Sequence, residues 1–340
     1  MKLVFVEESS KMAGVQASTF SLAKWLNKKG FESLKILLPS TGDFSKMCKD
    51  NDLQYIIYKS LSPKSTSIYI LNDKYKIPNP FSWIYNFFVI FNNYYSVRKK
   101  LKIQLPDIVI TKGFYSHFYA GFACKVLKIK CICHLQDFIT DRYNGLFIRL
   151  FNKVFTHISD FIVCDGQKIF DSLSPELKKK SNVIINGIDL NFFQKSEPLG
   201  LKFRKRNKIP KNAYLIGNLS RMTPWKGQLE LLHAFLKYSK VNRNAYLVLA
   251  GSPLFDGSEY LSKLKKIIIE HSIQSKVIMP GYINDIRSYL SSLDLYVQPS
   301  KEKDTTPLSL LTSFSMGLPS VISKIDSFDE IVDLIPYIDQ

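Results

Sequence analysis

Two positively charged residues, Arg221 and Lys226, lie five positions apart in the segment GNLSRMTPWKG. The apolar run Tyr214–Leu219 before them predicts a strand, and the pattern of Gln228–Tyr238 after them predicts a helix. Two cations in a strand-to-helix loop can clamp a diphosphate, the arginine in a bidentate manner. Cations aimed at phosphate oxygens would stabilise the negative charge that develops there in a group transfer. Basic residues are also common in ordinary loops, and spacing and context favour the functional interpretation.

A second candidate stretch, residues 299–319, has the sequence PSKEKDTTPLSLLTSFSMGLP and follows the apolar run Leu295–Gln298. The pattern predicts a strand, a polar loop and a helix that starts at Pro307 and ends at Gly317. Open α/β sheets bind ligands at the carboxyl ends of their strands. The unpaired N–H groups of a helix start there favour an anion such as phosphate.

Two further candidates lie in the first half of the chain. His134 ends a predicted strand and is followed by Asp137, which places the imidazole at the ligand-binding edge of a parallel sheet. Gly14 lies in a polar loop between the predicted strand Lys2–Val6 and the predicted helix Ala17–Lys29. A structural histidine and a plain turn glycine are the alternatives at these two positions.

The elements that must position these residues alternate between strand and helix. The remaining predicted strands are Leu34–Leu38, Asp107–Thr111, Lys130–His134, Asp160–Cys164, Val183–Ile185, Ala245–Ala250 and Val277–Gly281. This alternation predicts two doubly wound α/β domains with parallel sheets, and a length of 340 residues favours two domains over one. We place the domains at 1–195 and 196–340, with a linker at Ser196–Lys208.

Composition narrows the class of protein. An apolar content of 46% excludes wholesale disorder, and the five cysteines lack metal-type spacing, which indicates reduced thiols in the cytoplasm. Cys131 and Cys133 are expected to fill the core. The start of the chain does not resemble a signal peptide, and its most apolar run, Phe81–Tyr95, is too short to span a membrane.

The net charge of +18 points to an anionic partner. An anionic membrane surface, an acidic acceptor, a merely solvated basic surface and nucleic acid are the candidate explanations, although no nucleic-acid recognition motif is present. The aromatic segment Trp83–Tyr95 leads into basic residues, and Leu146–Phe155 is similar. Each predicts either an amphipathic helix that lies on a membrane or an ordinary helix that covers the sheet.

Taken together, these motifs resemble glycosyltransferase family 4, the retaining enzymes of the GT-B fold that use nucleotide-sugar donors. The string VIINGIDLNFF, residues 183–193, is similar to the strand that leads out of the first domain of that family. The resemblance covers nearly the whole chain and is densest from Val183 to Pro319. It implies two Rossmann-like domains with a cleft between them, the first for the acceptor and the second for the donor.

The resemblance also assigns roles to residues. The catalytic residues that it implies are His134, Arg221, Lys226 and Asp304. Arg221 and Lys226 would hold the diphosphate, and His134 and Asp304 would hold the sugar. The other donor-binding residues that it implies are Gly14, Tyr282, Ile283, Thr305, Thr306, Leu308 and Thr312. Of these, Tyr282 and Ile283 would line the base pocket. No metal and no other cofactor is expected, because the two cations serve the diphosphate and no clustered Asp-x-Asp is present.

The chain departs from the family pattern at several positions. Ala13 replaces the first glycine of a pair, Ser220 stands where glycine is usual, and Asp304 is shorter than the usual glutamate, with Glu302 as a rival for its role. Thr312 occupies the position of a second glutamate and is expected to face the cleft. A lost charge-assisted hydrogen bond of ~1.5–3 kcal/mol would weaken donor binding roughly tenfold or more.

The expected function is transfer of a hexose-type sugar from a nucleotide-diphosphate donor to a surface-polysaccharide, lipid-linked or similar acceptor, in the cytoplasm or at its membrane face. The main alternative is a degenerate or truncated GT-B protein that binds donor or partner without turnover. Thr312 motivates it, as does the end of the chain at Gln340, before the final helices of the family. A sugar-nucleotide epimerase on the same fold and a nucleic-acid binder are further alternatives.

Overall fold

The computed structural model describes residues 1–31, 33–64, 67–70, 75–137, 146–253, 258–301 and 304–332. The chain divides into two compact units, Met1–Ile185 and Asn186–Gln340. Each unit contains its own parallel sheet. The prediction of two α/β domains with parallel sheets is therefore confirmed.

The first unit is built on a seven-stranded sheet with the order β3-β2-β1-β6-β7-β8-β9 and an antiparallel pair, β4-β5. The strands are β1 Leu3–Glu7, β2 Leu34–Leu38, β3 Tyr55–Ile57, β4 Ser67–Ile70, β5 Tyr75–Pro78, β6 Ile108–Lys112, β7 Lys130–Leu135, β8 Phe161–Cys164 and β9 Ser181–Val183. The helices are α1 Gly14–Lys28, α2 Asp43–Lys49, α3 Pro80–Gln104, α4 Phe114–Leu127, α5 Leu146–Ile158, α6 Gln167–Asp171 and α7 Pro175–Lys178.

Both faces of this sheet are covered by helices, which explains why its central strands are almost continuously apolar. On one face, Phe5 of β1 belongs to a buried cluster with Phe44 of α2. On the other face, Val6 belongs to a cluster with Val97 of α3 and Ala120 of α4. The order of strands reverses between β1 and β6, so the carboxyl ends of these two strands form the crevice that favours ligands.

The second unit has a five-stranded parallel sheet with the order β12-β11-β10-β13-β14. The strands are β10 Tyr214–Leu219, β11 Ala245–Ala250, β12 Val277–Gly281, β13 Leu295–Gln298 and β14 Ser320–Ile322. The helices are α8 Glu197–Arg206, α9 Gln228–Val241, α10 Ser258–Glu270, α11 Ile286–Ser292, α12 Leu308–Ser315 and α13 Asp326–Val332, with a short 3-10 helix at Pro224–Lys226. Here the order reverses between β10 and β13.

The prediction of a linker at Ser196–Lys208 is wrong, because most of this segment is helix α8. Its basic residue Arg204 is 7% exposed and does not belong to a solvated cluster. The guanidinium donates to the carbonyl oxygens of Ser292 and Ala213, both at 2.7 Å through different nitrogens, and pairs with Asp294 at 2.8 Å. Arg204 therefore fastens α8 to the end of α11 and to the start of the sheet.

The boundary between the units lies ten residues before the predicted position at 195. The physical reason is that the intervening segment packs on the second unit: Phe193 joins its core, and the carbonyl oxygen of Gln194 accepts a hydrogen bond from Arg287 Nε at 3.0 Å. The predicted strand Val183–Ile185 is also displaced, to Ser181–Val183. Pro307 precedes α12 at the N-cap position and is not its first helical residue.

Two other predictions, about the end of α12 and about the cysteines, are confirmed. Gly317 ends α12 with a φ of +63°, a conformation that favours glycine. All five cysteines are buried free thiols of the first unit. Among the described residues, no helix combines the length and the apolar character needed to cross a membrane.

The contact between α8 and α11 generates a prediction about stability. A Cβ added at Gly200 would lie 2.4 Å from the backbone oxygen of Ser291, so Gly200→Ala must push the two helices apart. We expect a loss of about 1–3 kcal/mol in the free energy of unfolding, measured with denaturant. Gly187→Ala is the control, because no atom lies within 4 Å of a Cβ placed there. Equal stabilities of the two variants would contradict the packing described.

Candidate functional site

In the second unit, two loops meet where the order of strands reverses. One follows β10 and contains Arg221 and Lys226; the other follows the neighbouring parallel strand β13 and contains Asp304. The backbone N–H of Lys301 donates to the carbonyl oxygen of Trp225 at 2.8 Å, which joins the two loops directly. Both stretches therefore lie at the same edge of the sheet.

Gly227 allows the two loops to approach so closely. Its φ is +73°, and a Cβ at this position would lie 1.8 Å from the carbonyl oxygen of Pro299. Any other residue would separate the loops or distort the backbone. Gly227 is thus the residue of the WKG segment that sets the distance between the two halves of the site.

An ion pair lies between the loops. Lys226 Nζ is 2.6 Å from Asp304 Oδ2, and the two side chains are only 9% and 7% exposed. The same carboxylate oxygen accepts hydrogen bonds from Ser300 Oγ at 2.7 Å and Gln298 Nε2 at 3.2 Å. The structure therefore brings together two of the predicted catalytic residues and pairs them with each other. The rival Glu302 lies outside the described residues.

Arg221 is exposed at the surface of the same loop. Its guanidinium lies over the ring of Trp225, 5.6 Å from the ring centroid, and Lys226 Nζ lies 4.3 Å from the same centroid. Cations over an indole face are attracted by the ring quadrupole. The site thus has one buried cation with a carboxylate partner and one exposed cation on an aromatic platform, and the exposed one can reach a ligand.

Buried polar side chains hold the loop after β10 in place. Gln228 Nε2 donates to the carbonyl oxygen of Arg221 at 2.6 Å and to Ser220 Oγ at 2.8 Å. Ser220 Oγ in turn donates to Asn218 Oδ1 at 2.8 Å. The serine that replaces the usual glycine therefore belongs to this network. The sequence interpretation missed Gln228, Ser300 and Gln298, because a buried amide or hydroxyl has no pattern that distinguishes it from a surface one.

The remaining predicted residues of this unit have different surroundings. Thr305 and Thr306 precede Leu308, which begins α12, so they lie at a helix start as predicted. Tyr282 follows β12 at the same edge of the sheet and is 43% exposed, whereas Ile283 is 9% exposed and packs in the core. A hydrophobic contact of Ile283 with a base therefore stays a prediction.

Thr312 is 4% exposed, and its hydroxyl donates to the carbonyl oxygen of Leu308 at 2.6 Å. Its side chain is thus packed and bonded within α12. The expectation that Thr312 faces a cleft finds no support in this burial, and a longer side chain here would have to displace its neighbours.

In the first unit, three polar residues follow one another across adjacent strands. Glu7 of β1 is in register with Lys112 of β6, and Lys112 is in register with His134 of β7. All three side chains are buried at the carboxyl ends of their strands. His134 was predicted from the sequence, whereas Glu7 and Lys112 were not; the only signal was a charged residue at the end of each apolar run.

Burial and charge control the ionisation of this row. Burial, with smaller contributions from Lys112 and His117, holds the pKa of His134 well below its usual value, so the imidazole is neutral. Its Nε2 is buried and has no hydrogen-bond partner in the part of the chain that the structure describes. A neutral imidazole with an unused nitrogen can bind a ligand hydroxyl.

Glu7 is held by α1, where Gln16 Nε2 donates to Oε2 at 2.9 Å and the Thr19 hydroxyl donates to Oε1. Burial raises its pKa to about 7 against the opposing effect of these bonds and of Lys112. Lys112 Nζ donates to Ser18 Oγ at 2.8 Å. Gly14 is the first residue of α1 rather than part of the preceding loop, and a Cβ added there would meet no atom within 4 Å.

Comparisons with known proteins agree with this architecture. Residues 201–334 match the sequence profile of the family described as Glycosyl transferases group 1. The chain is 27% identical over 270 residues to an uncharacterized glycosyltransferase of Methanocaldococcus jannaschii, a match that covers 75% of this chain and 63% of that protein. It is 22% identical over 248 residues to UDP-Gal:alpha-D-GlcNAc-diphosphoundecaprenol alpha-1,3-galactosyltransferase of Escherichia coli, covering 68% of this chain and 61% of that protein. The matches therefore cover less than two thirds of the length of either relative.

Among solved structures, HepE of Anabaena in complex with UDP-glucose is similar to this chain, with a TM-score of 0.79 and 17% sequence identity. The match covers 99% of this chain and 83% of the HepE chain. The two parallel-sheet units thus define a protein with the GT-B fold. Within it, residues 201–334 of the second unit are similar to the glycosyl transferases group 1 family.

The described residues contain no group of three or more histidine, cysteine, aspartate or glutamate side chains arranged to hold a metal ion. The expectation of a metal-independent site stays a prediction.

Because the pair of Lys226 and Asp304 is buried, removing its carboxylate should destabilise the fold more than removing the carboxylate of an exposed ion pair. Asp304→Asn leaves a buried ammonium without its carboxylate and should lower the free energy of unfolding by about 3–5 kcal/mol. The control is Glu230→Gln, since Glu230 pairs with Lys301 at 2.8 Å but both side chains are about half exposed, and the expected loss is at most ~1 kcal/mol. Denaturant unfolding measures both, and equal losses would contradict the burial of the pair.

Glu7 predicts a pH dependence of stability. Because folding raises its pKa from 4.5 to about 7, the folded chain retains a proton that the unfolded chain releases, and the contribution of Glu7 to the free energy of unfolding falls as pH rises through this window. Glu7→Gln cannot ionise and should make the fall between these pH values smaller.

Denaturant unfolding at a series of pH values tests this prediction. Glu8, whose pKa burial also raises to about 7, contributes a fall, whereas His134, whose pKa burial lowers, contributes a rise. Both contributions are common to the native chain and the variant, so the difference between their slopes isolates Glu7. The exposed carboxylate Glu176 provides the control variant Glu176→Gln, which should keep the full slope. An unchanged slope in Glu7→Gln would refute the assignment.

Proposed function

We propose that the chain is a retaining glycosyltransferase that moves a hexose-type sugar from a nucleotide-diphosphate donor to a polysaccharide, lipid-linked or similar acceptor. The observation that carries the proposal is Arg221, an exposed cation on the Trp225 ring at the point where the order of strands reverses in a group 1 domain. A guanidinium presents several donors in a fork that matches phosphate oxygens. Lys226 would add a buried positive charge to the same loop, and Asp304 holds its ammonium group in position.

The proposed reaction forms one bond and breaks one. The acceptor hydroxyl oxygen bonds to the anomeric carbon, the bond from that carbon to the β-phosphate oxygen breaks, and its electron pair stays on the leaving diphosphate. The hydroxyl proton leaves with the diphosphate or to solvent. Arg221 would stabilise the charge that develops on the leaving oxygens, which is electrostatic catalysis. A positively charged protein group can serve this purpose without a metal ion.

The donor proposed for the first experiments is a UDP-linked hexose. HepE was solved with UDP-glucose, and the name of the Escherichia coli relative specifies UDP-Gal as donor and a lipid diphosphate as acceptor. In the first unit, the neutral imidazole of His134 would accept or donate one hydrogen bond to the sugar through Nε2. Five buried free thiols suit the reducing cytoplasm, which is the proposed compartment.

A donor-binding protein without turnover is the second candidate. It is favoured by Thr312, which stands where the family resemblance implies a glutamate and is buried with its hydroxyl bonded to α12. Binding of a nucleotide sugar together with an absence of both transfer and hydrolysis would favour this candidate over the enzyme.

Calorimetric titration with UDP, GDP, ADP and their sugar conjugates tests donor binding, in buffer containing a chelator. We expect one base to be preferred and Arg221→Ala to weaken its binding at least about tenfold, because a hydrogen bond to a charged group contributes ~1.5–3 kcal/mol. Arg243→Ala is the control, since Arg243 is an exposed arginine of the same unit. Failure of every nucleotide to bind, or equal binding by both variants, would refute the donor site.

A further inference from the structure

Helix α3 has an unusual orientation over its first half, because its polar residues face the protein and its aromatic residues face solvent. Ser82, Asn86 and Asn93 are buried. The exposed residues are Phe81, Ile84, Phe87, Phe88, Phe91 and Tyr95, with exposed fractions from 51% to 81%. We refer to these six side chains as the aromatic face of α3.

Hydrogen bonds fix this orientation. Asn86 accepts from the backbone N–H of Lys64 and donates to its carbonyl oxygen, both at 2.8 Å, and it also donates to the Tyr115 hydroxyl at 2.9 Å. Asn93 pairs in the same two-bond manner with Leu61, at 2.9 Å and 3.0 Å. A rotation of α3 that buried the aromatic face would break all five bonds, which are partly shielded from solvent, so these bonds oppose such a rotation.

The aromatic face is a continuous stripe. Ile84, Phe88, Phe91 and Tyr95 recur at intervals of three and four residues, which places them along one side of the helix. Burial of each such side chain is favourable, so the stripe offers a large driving force for association. A continuous exposed apolar surface of this kind marks an interaction site.

The charges on α3 indicate the chemistry of the partner. Lys99 and Lys102 are exposed and continue the same three-and-four spacing beyond Tyr95, so one plane can touch the aromatic face and both ammonium groups. The helix Pro80–Gln104 contains no aspartate or glutamate, and neither does α5, which carries Arg149 and Lys153. A partner that matches this surface is apolar within and negatively charged at its boundary.

We propose that the aromatic face of α3 docks on a lipid bilayer that contains anionic headgroups, with Lys99 and Lys102 in contact with those headgroups. Aromatic side chains suit the boundary between headgroups and acyl chains, and each basic residue near an anionic surface strengthens the attraction. The helix lies in the plane of the membrane and does not cross it. This inference goes beyond the proposed sugar transfer and does not depend on it.

Vesicle flotation of the purified full chain, without nucleotide, tests the proposal. Phosphatidylcholine vesicles with and without phosphatidylglycerol are the two surfaces. We expect binding to the mixed vesicles and a loss of at least about tenfold for Phe87→Gln/Phe91→Gln, whose two exposed rings no longer enter the lipid. The matched control is Val241→Gln, at an apolar residue of the second unit that is 86% exposed.

The basic residues are tested separately. Lys99→Gln/Lys102→Gln should weaken binding to the phosphatidylglycerol vesicles about thirtyfold and leave the weak binding to pure phosphatidylcholine unchanged. Trp83, which is 39% exposed on α3, reports the depth of the helix. Lipids brominated on the acyl chain should quench its fluorescence in the native chain, and Trp83→Phe should remove that quenching.

Three outcomes would overturn the proposal. They are no binding to either kind of vesicle, equal binding by Phe87→Gln/Phe91→Gln and the control, and a dimer in sedimentation velocity that the same double substitution converts to a monomer. The last result would assign the aromatic face to a second copy of the chain. Because no donor is present, none of these outcomes bears on nucleotide binding, which Arg221→Ala tests independently.

Discussion

The buried ion pair of Lys226 and Asp304 determines the geometry of the candidate site. It connects the loops that follow β10 and β13, and the close approach at Gly227 leaves space for little else between them. Removing two charges from water is costly, and further hydrogen bonds help the mutual attraction to offset that cost; here Ser300 and Gln298 both donate to Asp304 Oδ2. The pair therefore positions the Trp225 ring, and the ring in turn supports Arg221.

The two units differ in how far the charged residues at the edge of the sheet are exposed. Each has a parallel sheet whose order reverses beside its first strand, and each places charged residues at that edge. In the second unit the outermost cation is exposed, which suits recognition of a charged ligand. In the first unit Glu7, Lys112 and His134 are all buried, and their ionisation is controlled by desolvation more than by their mutual attraction. Such a row suits hydrogen bonding to neutral hydroxyl groups.

Much of the fold could be predicted from the sequence, because strands buried on both faces are short apolar runs that need no knowledge of their partners. Five of them have the predicted bounds: Leu34–Leu38, Tyr214–Leu219, Ala245–Ala250, Val277–Gly281 and Leu295–Gln298. The prediction of a linker failed because a local pattern does not reveal tertiary contacts. Helix α8 was predicted as a linker because Pro198, Gly200 and its basic residues are typical of exposed loops, and only the tertiary structure provides the carbonyl oxygens that Arg204 binds.

The site was partly predictable for the same reason. Arg221, Lys226, Asp304 and His134 lie at the end of a strand or in the loop after one, which a local pattern reveals. The pairing of Lys226 with Asp304, by contrast, joins residues 78 positions apart. The sequence also did not show which face of α3 is exposed, since a helix with aromatic and asparagine residues is usually expected to bury the aromatic ones. The orientation is set by the loop at residues 61–64, whose backbone bonds to both asparagines. No sequence pattern in that loop predicts these bonds.

The buried cysteines have a practical consequence for anyone who labels this protein. Burial raises the pKa of Cys48 and Cys164 to about 12, so both thiols remain protonated and unreactive at neutral pH. The second unit contains no cysteine at all. A single cysteine introduced on its surface would therefore accept a maleimide dye or spin label against almost no background, without removal of any native thiol.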